Sequence, residues 1–421
     1  MKKTLLWSIA ILLVLGICVA TIVWLNRPQV IVLHDGAKLT LLGVQYGKHH
    51  KSPKVKGALR RASGSLDTTN DTLVVWVLSE HKNSQWPNYE VVAYDRAGTA
   101  CVGNWPRYSE QIKAGMGIQG VQLDAFPRRE GKTYLHIMSW GQRGQQLAKG
   151  QFVIANPARG SFPAWSPDAV PDTQSDGDLD VTLTRFESGV PGFNRMRNQK
   201  TNDPMNQAVL VAFHTEQKGV VVTNWQPVRI ETSDATGNDV FNNSWSNGRD
   251  DNGDVTMTYQ WGLWPGEPAW KLRVEMSRTS GFNADELWTV QNVPVNPGRQ
   301  QDLWAYEGNS RRTPAFAETT LGGIHLKLYP VIQFTDSNWG NGDKPGGFRV
   351  QADQSLDGIQ LTVVQATDEQ GHKLQTWNNY GWGGSDRQCQ LQNVRNAKFL
   401  NLTLAVHKSR FVEFTAKPSK S

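Results

Sequence analysis

Residue types that could carry out catalysis are present in this sequence, but their spacing matches no catalytic motif. There is no His-Glu-x-x-His, no Gly-x-Ser-x-Gly and no Walker motif, and the nine histidines lack the spacing of metal ligands. Gly115, Gly117 and Gly120 spell G-x-G-x-x-G, but a dinucleotide-binding fingerprint must follow a parallel strand and open a helix, and the surrounding pattern is of β type. We therefore expect a protein without catalysis and without a cofactor.

Two acidic clusters place oxygen ligands at alternate positions, as the start of a calcium-binding loop does. The clusters are Asp176, Asp178 and Asp180, and Asp250, Asn252 and Asp254. Neither continues as an EF-hand, because the sixth position is Val181 or Val255 where that loop requires glycine. A loose calcium site and a solvated turn are the alternatives at each cluster, and the metal content is left open.

Tryptophan is unusually abundant, with 17 residues against 14 phenylalanines and 9 tyrosines. Aromatic side chains beside glycine and asparagine on loops can present flat apolar faces to sugar rings or peptides. The candidates of this kind are Trp264 before a proline, Trp339 in SNWGNGDKPGG, and Tyr380 with Trp382 in NNYGWGGS. The alternative for each of them is a structural role at a sandwich edge or a domain interface.

A basic segment at 48–61 contributes six positive charges and no acid, and the formal net charge of the whole chain is also +6. Its charged members are Lys48, Lys51, Lys54, Lys56, Arg60 and Arg61. Such a patch could contact anionic headgroups or an acidic polymer, and a solvated hairpin loop is the alternative. No aromatic residues interleave with the charges, so a nucleic acid partner is not expected.

The N-terminus carries an uncharged apolar run from Thr4 to Leu25, which as a helix would span roughly 33 Å. Lys2 and Lys3 precede this run, so the positive-inside rule places the short N-terminus in the cytoplasm and the rest of the chain outside. The sequence thus predicts a single-pass anchor in a bacterial cytoplasmic membrane. A cleaved signal peptide is the alternative, but the apolar run continues past the small residue Ala20, where a mature N-terminus should turn polar.

A short motif occurs three times, which indicates that one ancestral unit has been triplicated. Each copy consists of a strand, Asp-x-x-Gly and a later tryptophan: Asp95, Gly98 and Trp105; Asp234, Gly237 and Trp245; Asp368, Gly371 and Trp377. Aspartate supplies an acceptor that stabilises a turn, and glycine tolerates a positive φ, so each motif is expected to connect two strands of a hairpin. The tryptophans occupy one equivalent position, which favours a shared packing role.

Alternation of apolar and polar residues around each motif, as in LNLTLAV at 400–406, predicts strands with one packed and one solvated face. We expect an all-β fold in which an N-terminal transmembrane helix precedes three tandem antiparallel β-sandwich domains. Their architecture resembles immunoglobulin-like and fibronectin-III-like domains, although the Cys...Trp...Cys signature of true immunoglobulin domains is absent. The predicted limits are an anchor at 1–28, sandwiches at 30–157, 179–297 and 321–418, a Pro-rich linker at 158–178 and a second linker at 298–320.

These features predict a membrane-anchored extracytoplasmic scaffold or binding protein of the cell envelope, with an envelope protein or polysaccharide as candidate partner. Carbohydrate or peptide binding by the loop aromatics of the third domain is the main alternative. A β-rich hydrolase is the second alternative and would need two carboxylates about 5–10 Å apart in a cleft. The cysteines at 18, 101 and 389 are too widely spaced to predict a disulfide framework or a zinc site.

Overall fold

The computed structural model describes most of the chain from Pro28 to Lys420. The described ranges are 28–33, 35–55, 64–81, 86–87, 89–104, 106–140, 146–158, 160–191, 207–243, 246–260, 262–264, 266–303, 314–335, 344–380, 384–394 and 397–420. The described structure consists of antiparallel-rich β-sheets and two short 3-10 turns, at Ala284–Glu286 and Gln300–Leu303. The all-β prediction is therefore confirmed. No helix in these ranges has the length and apolarity needed to cross a membrane, and the predicted anchor lies outside them.

The first group of strands, which we call module 1, forms two antiparallel sheets. Its strands are β1 Val30–Val32, β2 Lys38–Lys51, β3 Ser65–Glu80, β4 Tyr89–Tyr94, β5 Ala100–Asn104, β6 Pro106–Lys113, β7 Met116–Leu123, β8 Lys132–Trp140 and β9 Gln146–Ala155. One sheet has the order β1-β2-β3-β7-β6 and the other has the order β5-β4-β8-β9. Side chains from both sheets, such as Val75 and Ile137, pack into one core, so the module is sandwich-like.

The central strand β3 is buried on both faces, which differs from the predicted pattern of one packed and one solvated face. Val75 points into the shared core, whereas Val74 and Trp76 form a second cluster on the opposite face. Gly120 on the neighbouring strand β7 makes room for the Trp76 ring, since a β-carbon there would lie 2.8 Å from it. Gly117 similarly lies under the ring of Trp86. Two of the glycines that spell the nucleotide-binding pattern thus serve aromatic packing.

The remaining strands form two further groups. They are β10 Asp172–Asp176, β11 Leu179–Pro191, β12 Gln207–Gln217, β13 Val220–Val221, β14 Trp225–Asp234, β15 Asp239–Asn243, β16 Ser246–Arg249, β17 Val255–Gln260, β18 Trp270–Arg278, β19 Leu287–Gly298, β20 Ala317–Leu321, β21 Ile324–Leu328, β22 Val331–Phe334, β23 Gly346–Ala352, β24 Ile359–Asp368, β25 Thr376–Tyr380, β26 Asp386–Leu391, β27 Phe399–Lys408, β28 Arg410–Ala416 and β29 Ser419–Lys420. We call β10 to β18 together with β28 and β29 module 2, and β19 to β27 module 3.

Module 2 has two sheets. The first has the order β10-β11-β12-β17-β16, and in addition β13 pairs with β12 and β29 pairs with β11. The second has the order β15-β14-β18-β28. Its core is continuous with that of module 1. Module 3 has one sheet with the path β20-β21-β23-β22-β19-β27-β24, to which β25 and β26 add. Strand β19 connects the two halves of that sheet, because its first part pairs with β27 and its last part pairs with β22. The two halves share a separate core.

Modules 2 and 3 exchange their last strands. In module 1, β9 pairs with β8, the strand before it in sequence. The corresponding place beside β18 in module 2 is taken by β28 from the end of the chain, with Trp270 opposite Ala416. The corresponding place beside β27 in module 3 is taken by β19, with Leu287 opposite Ala405. Each module is therefore completed by a strand that adjoins the other module in sequence.

Loop length explains why β28 leaves module 3. Only Ser409 lies between β27 and β28, whereas the common β-hairpins need a loop of two or more residues. Strand β27 therefore cannot fold back onto β28, which continues into module 2. Between β8 and β9 the five residues 141–145 leave room for a hairpin. The predicted limits 179–297 and 321–418 assign β19 to the second sandwich and β28 to the third, so the observed pairings cross both limits.

Candidate functional site

The three Asp-x-x-Gly motifs adopt the same turn at the ends of β4, β14 and β24. In each copy the aspartate carbonyl accepts a hydrogen bond of 3.1 Å from the glycine N–H. Gly98, Gly237 and Gly371 have φ values of 83°, 89° and 84°, the left-handed region that favours glycine. The turn geometry is the same in all three copies, and the predicted hairpin between two strands forms at the first two. The first two turns lead into a paired hairpin strand, whereas β25 after the third turn pairs with β26 instead.

Most of the predicted aromatic site lies where the structure does not describe side chains. Trp339 and Trp382 lie outside the described residues, and Tyr380 is described only through its backbone in β25. The same holds for the tryptophans after the turns, since Trp105 and Trp245 lie outside the described residues and Trp377 is described only through its backbone. Both the ligand role of the first set and the packing role of the second set stay predictions.

Trp264 is the member of the predicted aromatic set whose side chain is described, and it lies between modules 1 and 2. The indole is 4% exposed, and its N–H donates a hydrogen bond of 3.1 Å to the carbonyl oxygen of Thr99. Thr99 belongs to the Asp-x-x-Gly turn of module 1, and the indole joins the core shared by the two modules. The indole ring is therefore covered by protein, and Trp264 links the two modules.

Arg128 of module 1 forms the centre of the junction between modules 1 and 2. Its guanidinium group is buried and donates hydrogen bonds of 3.1 Å to the Tyr46 hydroxyl, 3.0 Å to the Thr236 carbonyl and 3.0 Å to the Asp71 carbonyl. The guanidinium carbon also lies 5.4 Å from the ring centre of Tyr46 and 5.0 Å from that of Phe126. Because Thr236 belongs to the second Asp-x-x-Gly turn, this turn is seated on module 1.

Two further polar contacts hold the same junction. The side-chain oxygen of Asn238 accepts a hydrogen bond of 3.1 Å from the backbone N–H of Phe126, and its amide donates to Asp234. Arg129 forms an ion pair of 2.8 Å with Glu267. Burial raises the pKa of Glu267, and the hydrogen bond from Arg129 opposes that rise. Buried and satisfied polar groups of this kind define one relative orientation of the two modules.

The junction between modules 2 and 3 is built around the crossing at Ser409. One carboxylate oxygen of Glu275 on β18 accepts hydrogen bonds of 2.6 Å from the Ser409 hydroxyl and 2.7 Å from the Gln360 side chain. Nearby, the Ser277 hydroxyl lies 3.4 Å from Nε2 of His407, whose ring is buried. Burial lowers the pKa of His407. The crossing strand is thus secured by side chains from both modules.

The basic patch is partly described, and its described members lie on and beyond a long hairpin arm. Lys48, Lys51 and Lys54 are exposed. Lys48 and Lys51 lie near the end of β2, and Lys54 follows three residues after that strand ends. Lys56, Arg60 and Arg61 lie outside the described residues. The arm is anchored by His50, which is buried and lies 3.3 Å from the Thr72 hydroxyl. The exposed lysines are available for contact, and whether they bind an anionic partner stays a prediction.

The first acidic cluster attaches the exchanged strand β28 to module 2. Asp178 forms an ion pair of 2.9 Å with Arg410, and a carboxylate oxygen of Asp176 accepts a hydrogen bond of 2.9 Å from the Phe411 N–H. Hydrogen bonds from Gln217 and Arg410 lower the pKa of Asp178. Asp180 accepts a hydrogen bond from Ser175 across the hairpin. These contacts serve strand attachment.

The second acidic cluster forms a turn and a small polar network. One oxygen of Asp250 accepts hydrogen bonds of 3.0 Å from the backbone N–H groups of Asn252 and Asp254. Asp254 in turn lies 2.9 Å from Nδ1 of His214 and accepts a hydrogen bond of 2.6 Å from the Thr184 hydroxyl. Within the described ranges, no group of three or more His, Cys, Asp or Glu side chains is arranged to hold a metal ion.

A cavity of about 250 Å³ lies beside this network in module 2. It is lined by Gln226, Gly248, Arg249 and Val255. The guanidinium group of Arg249 is engaged by the backbone carbonyl oxygens of Gly253 and Thr223, each at 2.6 Å. None of the lining residues that the structure describes carries a carboxylate, and a glycosidase-type mechanism requires a pair of them.

The chain matches no protein-family model, and a search of the curated proteins gives no significant match.

Proposed function

We propose that the chain is a membrane-anchored extracytoplasmic scaffold or binding protein of the cell envelope, in which residues 4–25 form the anchor. The modules that follow it are three immunoglobulin-like or fibronectin-III-like sandwiches. The observation that carries the proposal is that both junctions between modules are held in place, a property that we call braced. Buried side chains hold the junction between modules 1 and 2, and strand exchange holds the junction between modules 2 and 3. A braced array presents its surfaces at a constant distance and orientation, which suits a scaffold better than a flexible tether.

The repeated modules support a structural role. Modules 1 and 2 each combine a larger sheet and a four-stranded sheet, and the same turn follows β4, β14 and β24 in the three modules. Equivalent strands β8, β18 and β27 each pair with the strand that bears that turn. Repetition of one unit extends the reach of a chain without requiring a new fold, and sandwich units of this kind are common in envelope and cell-surface proteins.

The segment that connects modules 1 and 2 is held by contacts with both modules, as expected for a braced array and not for modules on flexible linkers. The Pro-rich segment after module 1 is packed rather than free, since Arg129 donates hydrogen bonds of 3.2 Å to the Phe162 carbonyl and 2.6 Å to the Pro163 carbonyl. Further along, the Asp168 N–H donates a hydrogen bond of 2.7 Å to the Thr415 carbonyl in β28. These contacts favour a single arrangement of the two modules.

The proposed location rests on chain order. The uncharged run ends at Leu25, and the first strand begins at Val30, so roughly 18 Å of extended chain at most separates the anchor from module 1. The folded part therefore stays close to the membrane that holds residues 4–25.

Location is tested with the full chain expressed in a bacterial host and with a variant lacking residues 2–27. We expect the full chain in the membrane pellet after carbonate washing, and the shortened variant in the supernatant. Protease added to spheroplasts should digest the β modules and leave a short anchored fragment. A full chain protected until lysis, or a mature soluble chain beginning near Thr21, would overturn the proposal.

The scaffold role is tested by the geometry of the array. Distances between spin labels on modules 1 and 3 of the full chain should show one narrow distribution, because both junctions are braced. Arg128→Ala should broaden the distribution, whereas Arg107→Ala on the exposed side of β6 should leave it unchanged. A broad distribution in the unmodified chain would contradict the scaffold role without bearing on the anchor.

A further inference from the structure

The end of the β2–β3 hairpin in module 1 folds away from the sheet to which its base belongs. We call residues 48–55 and 64–71 the flap. Pairing between the two strands shifts register between Gly47 and His49, so residues 68–71 of β3 bulge out of the hairpin. A bulge of this kind bends a hairpin, which lets the flap turn over the second face of the sheet.

The flap covers apolar side chains on that second face. Val55 and Leu66 of the flap pack against the cluster formed by Val74, Trp76 and Ile118. All three cluster members are fully buried, although they lie on the face of the sheet that points away from the core shared by modules 1 and 2. Lifting the flap would therefore expose part of this apolar cluster to water.

Contact with the edge strand β6 determines where the flap lies. Tyr108 of β6 reaches the flap at Gly64, where a β-carbon would collide with the tyrosine hydroxyl. The Tyr108 ring also stands edge-on to the ring of Trp76, with the ring centres 5.4 Å apart. Because only glycine fits against the tyrosine at this point, the flap has a defined closed position.

His50 lies at the base of the flap in a site that suits the neutral ring. Its side chain is fully buried, and Nε2 lies 3.3 Å from the Thr72 hydroxyl. That hydroxyl donates to the Thr68 hydroxyl at 3.3 Å, so it can accept from the Nε2–H of a neutral ring. Nδ1 is buried as well, without a hydrogen-bond partner among the described residues. A protonated ring would therefore bury a second N–H that has no acceptor.

The charges around the base of the flap do not compensate a protonated His50. Burial lowers the pKa of His50. The Gly47 carbonyl and the Asp67 carboxylate oppose that change, and the charge of His49 adds to it. The charged groups on the elements that meet at this base are the acids Asp67 and Asp71 and the bases Lys48, His49, Lys51 and Arg128. Because bases outnumber acids there, a proton on His50 gains little electrostatic stabilisation while the flap is closed.

We propose that the flap is a pH-operated cover, in which protonation of His50 lifts the flap and uncovers the cluster of Val74, Trp76 and Ile118. In the open flap the ring is solvated and takes up a proton near pH 6.5. The closed flap is therefore favoured above that pH and gives way to the open flap as the pH falls. Acidification would thus present an apolar sheet face that is hidden at neutral pH. The cover requires neither the anchor nor the scaffold role.

Hydrogen exchange of the full chain in detergent micelles, followed by mass spectrometry at pH 7.5 and 5.5, tests the cover. Relative to the intrinsic exchange rate, residues 49–55 and 64–67 should exchange about tenfold faster at pH 5.5, one pH unit below the pKa of a solvated histidine. His50→Gln keeps an amide that can donate to Thr72 but takes up no proton, so it should abolish the difference. His49→Gln is the matched control and should retain it, since His49 is exposed on the same strand.

Equal protection of the flap at both pH values overturns the proposal, and so does a pH response that persists in His50→Gln. Faster exchange throughout module 1 at pH 5.5 also overturns it, because that result means general unfolding. If the flap of His50→Gln is already open at pH 7.5, the unmodified chain decides. The midpoint of its exchange change should then match the titration of the His50 ring, measured by NMR with labelled histidine, and a midpoint that follows His49 contradicts the proposal.

Discussion

The two junctions of this protein are both well buried, but they are built in different ways. Between modules 1 and 2 no last strand is exchanged, since β9 stays beside β8 in module 1, and side chains such as Arg128 and Trp264 cross the boundary. Between modules 2 and 3 the backbone itself crosses, because β28 completes module 2 and β19 completes module 3. Side-chain contacts can be lost one at a time, whereas a shared strand couples the folding of both modules. We therefore expect the second junction to be the more cooperative one.

The largest expected effect follows from truncating a core side chain of the exchanged strand. Phe414 on β28 is fully buried in module 2, so Phe414→Ala should lower the free energy of unfolding by about 3–5 kcal/mol. Because β28 is joined to β27 by Ser409 alone, amide protection in module 3 should fall as well. Urea unfolding and hydrogen exchange measure the two effects.

Phe399→Ala is the matched control for that variant, since Phe399 is exposed at the start of β27. Its free energy of unfolding should change by less than about 0.5 kcal/mol. If Phe414→Ala weakens module 2 and leaves amide protection in module 3 intact, the two modules are not coupled through the exchanged strand.

The next effect concerns the first junction. Arg128→Ala leaves the carbonyl oxygens of Thr236 and Asp71 without their guanidinium partner in a buried site, so we expect a loss of about 2–3 kcal/mol in the free energy of unfolding. Limited proteolysis should then cut between modules 1 and 2 before it cuts within either. An Arg128→Ala protein as resistant as the unmodified chain would show that this junction holds without the guanidinium group.

A smaller effect is expected for the polar contacts at the crossing. Glu275→Ala and Gln360→Ala, measured singly and together, should give a coupling energy of about 1 kcal/mol, since their side chains are 2.7 Å apart in a buried site. A coupling energy near zero would mean that the strand exchange alone secures this junction.

The smallest effect is a pH dependence at the second junction. Burial lowers the pKa of His407 in the folded protein, so the unfolded chain, with a histidine pKa of about 6.5, binds the proton more readily. Stability is therefore fully present above about pH 6.5 and decreases as the pH falls through the folded pKa. Arg278, Glu286, Ser277 and the Lys408 carbonyl all act on the ring, and Phe282 packs against it.

Urea midpoints at pH 7.5 and 5.5 measure this dependence. His407→Gln should reduce the loss of stability on acidification, while His372→Gln on the exposed third turn should not. His50 contributes in the same direction, because burial lowers its pKa too, so His407→Gln should reduce the loss without abolishing it. An unchanged loss in His407→Gln would remove His407 from the pH response.

Local features of the fold could be predicted because they depend on nearby residues. Asp95, Asp234 and Asp368 stabilise turns within four residues of themselves, and alternation marks strands such as β27. The position of Trp264 between two modules could not be read from the sequence, since the residues around it are the same whether the indole faces a ligand or another module. The sequence does contain one signal for the exchange. Only Ser409 separates β27 from β28, and a single residue is too short for a hairpin loop.

The sequence by itself determined the all-β fold, the three equivalent turns and the approximate strand positions, because hydrophobic periodicity and turn chemistry act over a few residues. The tertiary structure decided which strand completes which sheet. It also decided that Arg128 spans two modules and that Trp76 is buried on the second face of β3. Those outcomes depend on contacts between residues more than a hundred positions apart, or on side chains from neighbouring strands, and no local pattern encodes such pairings.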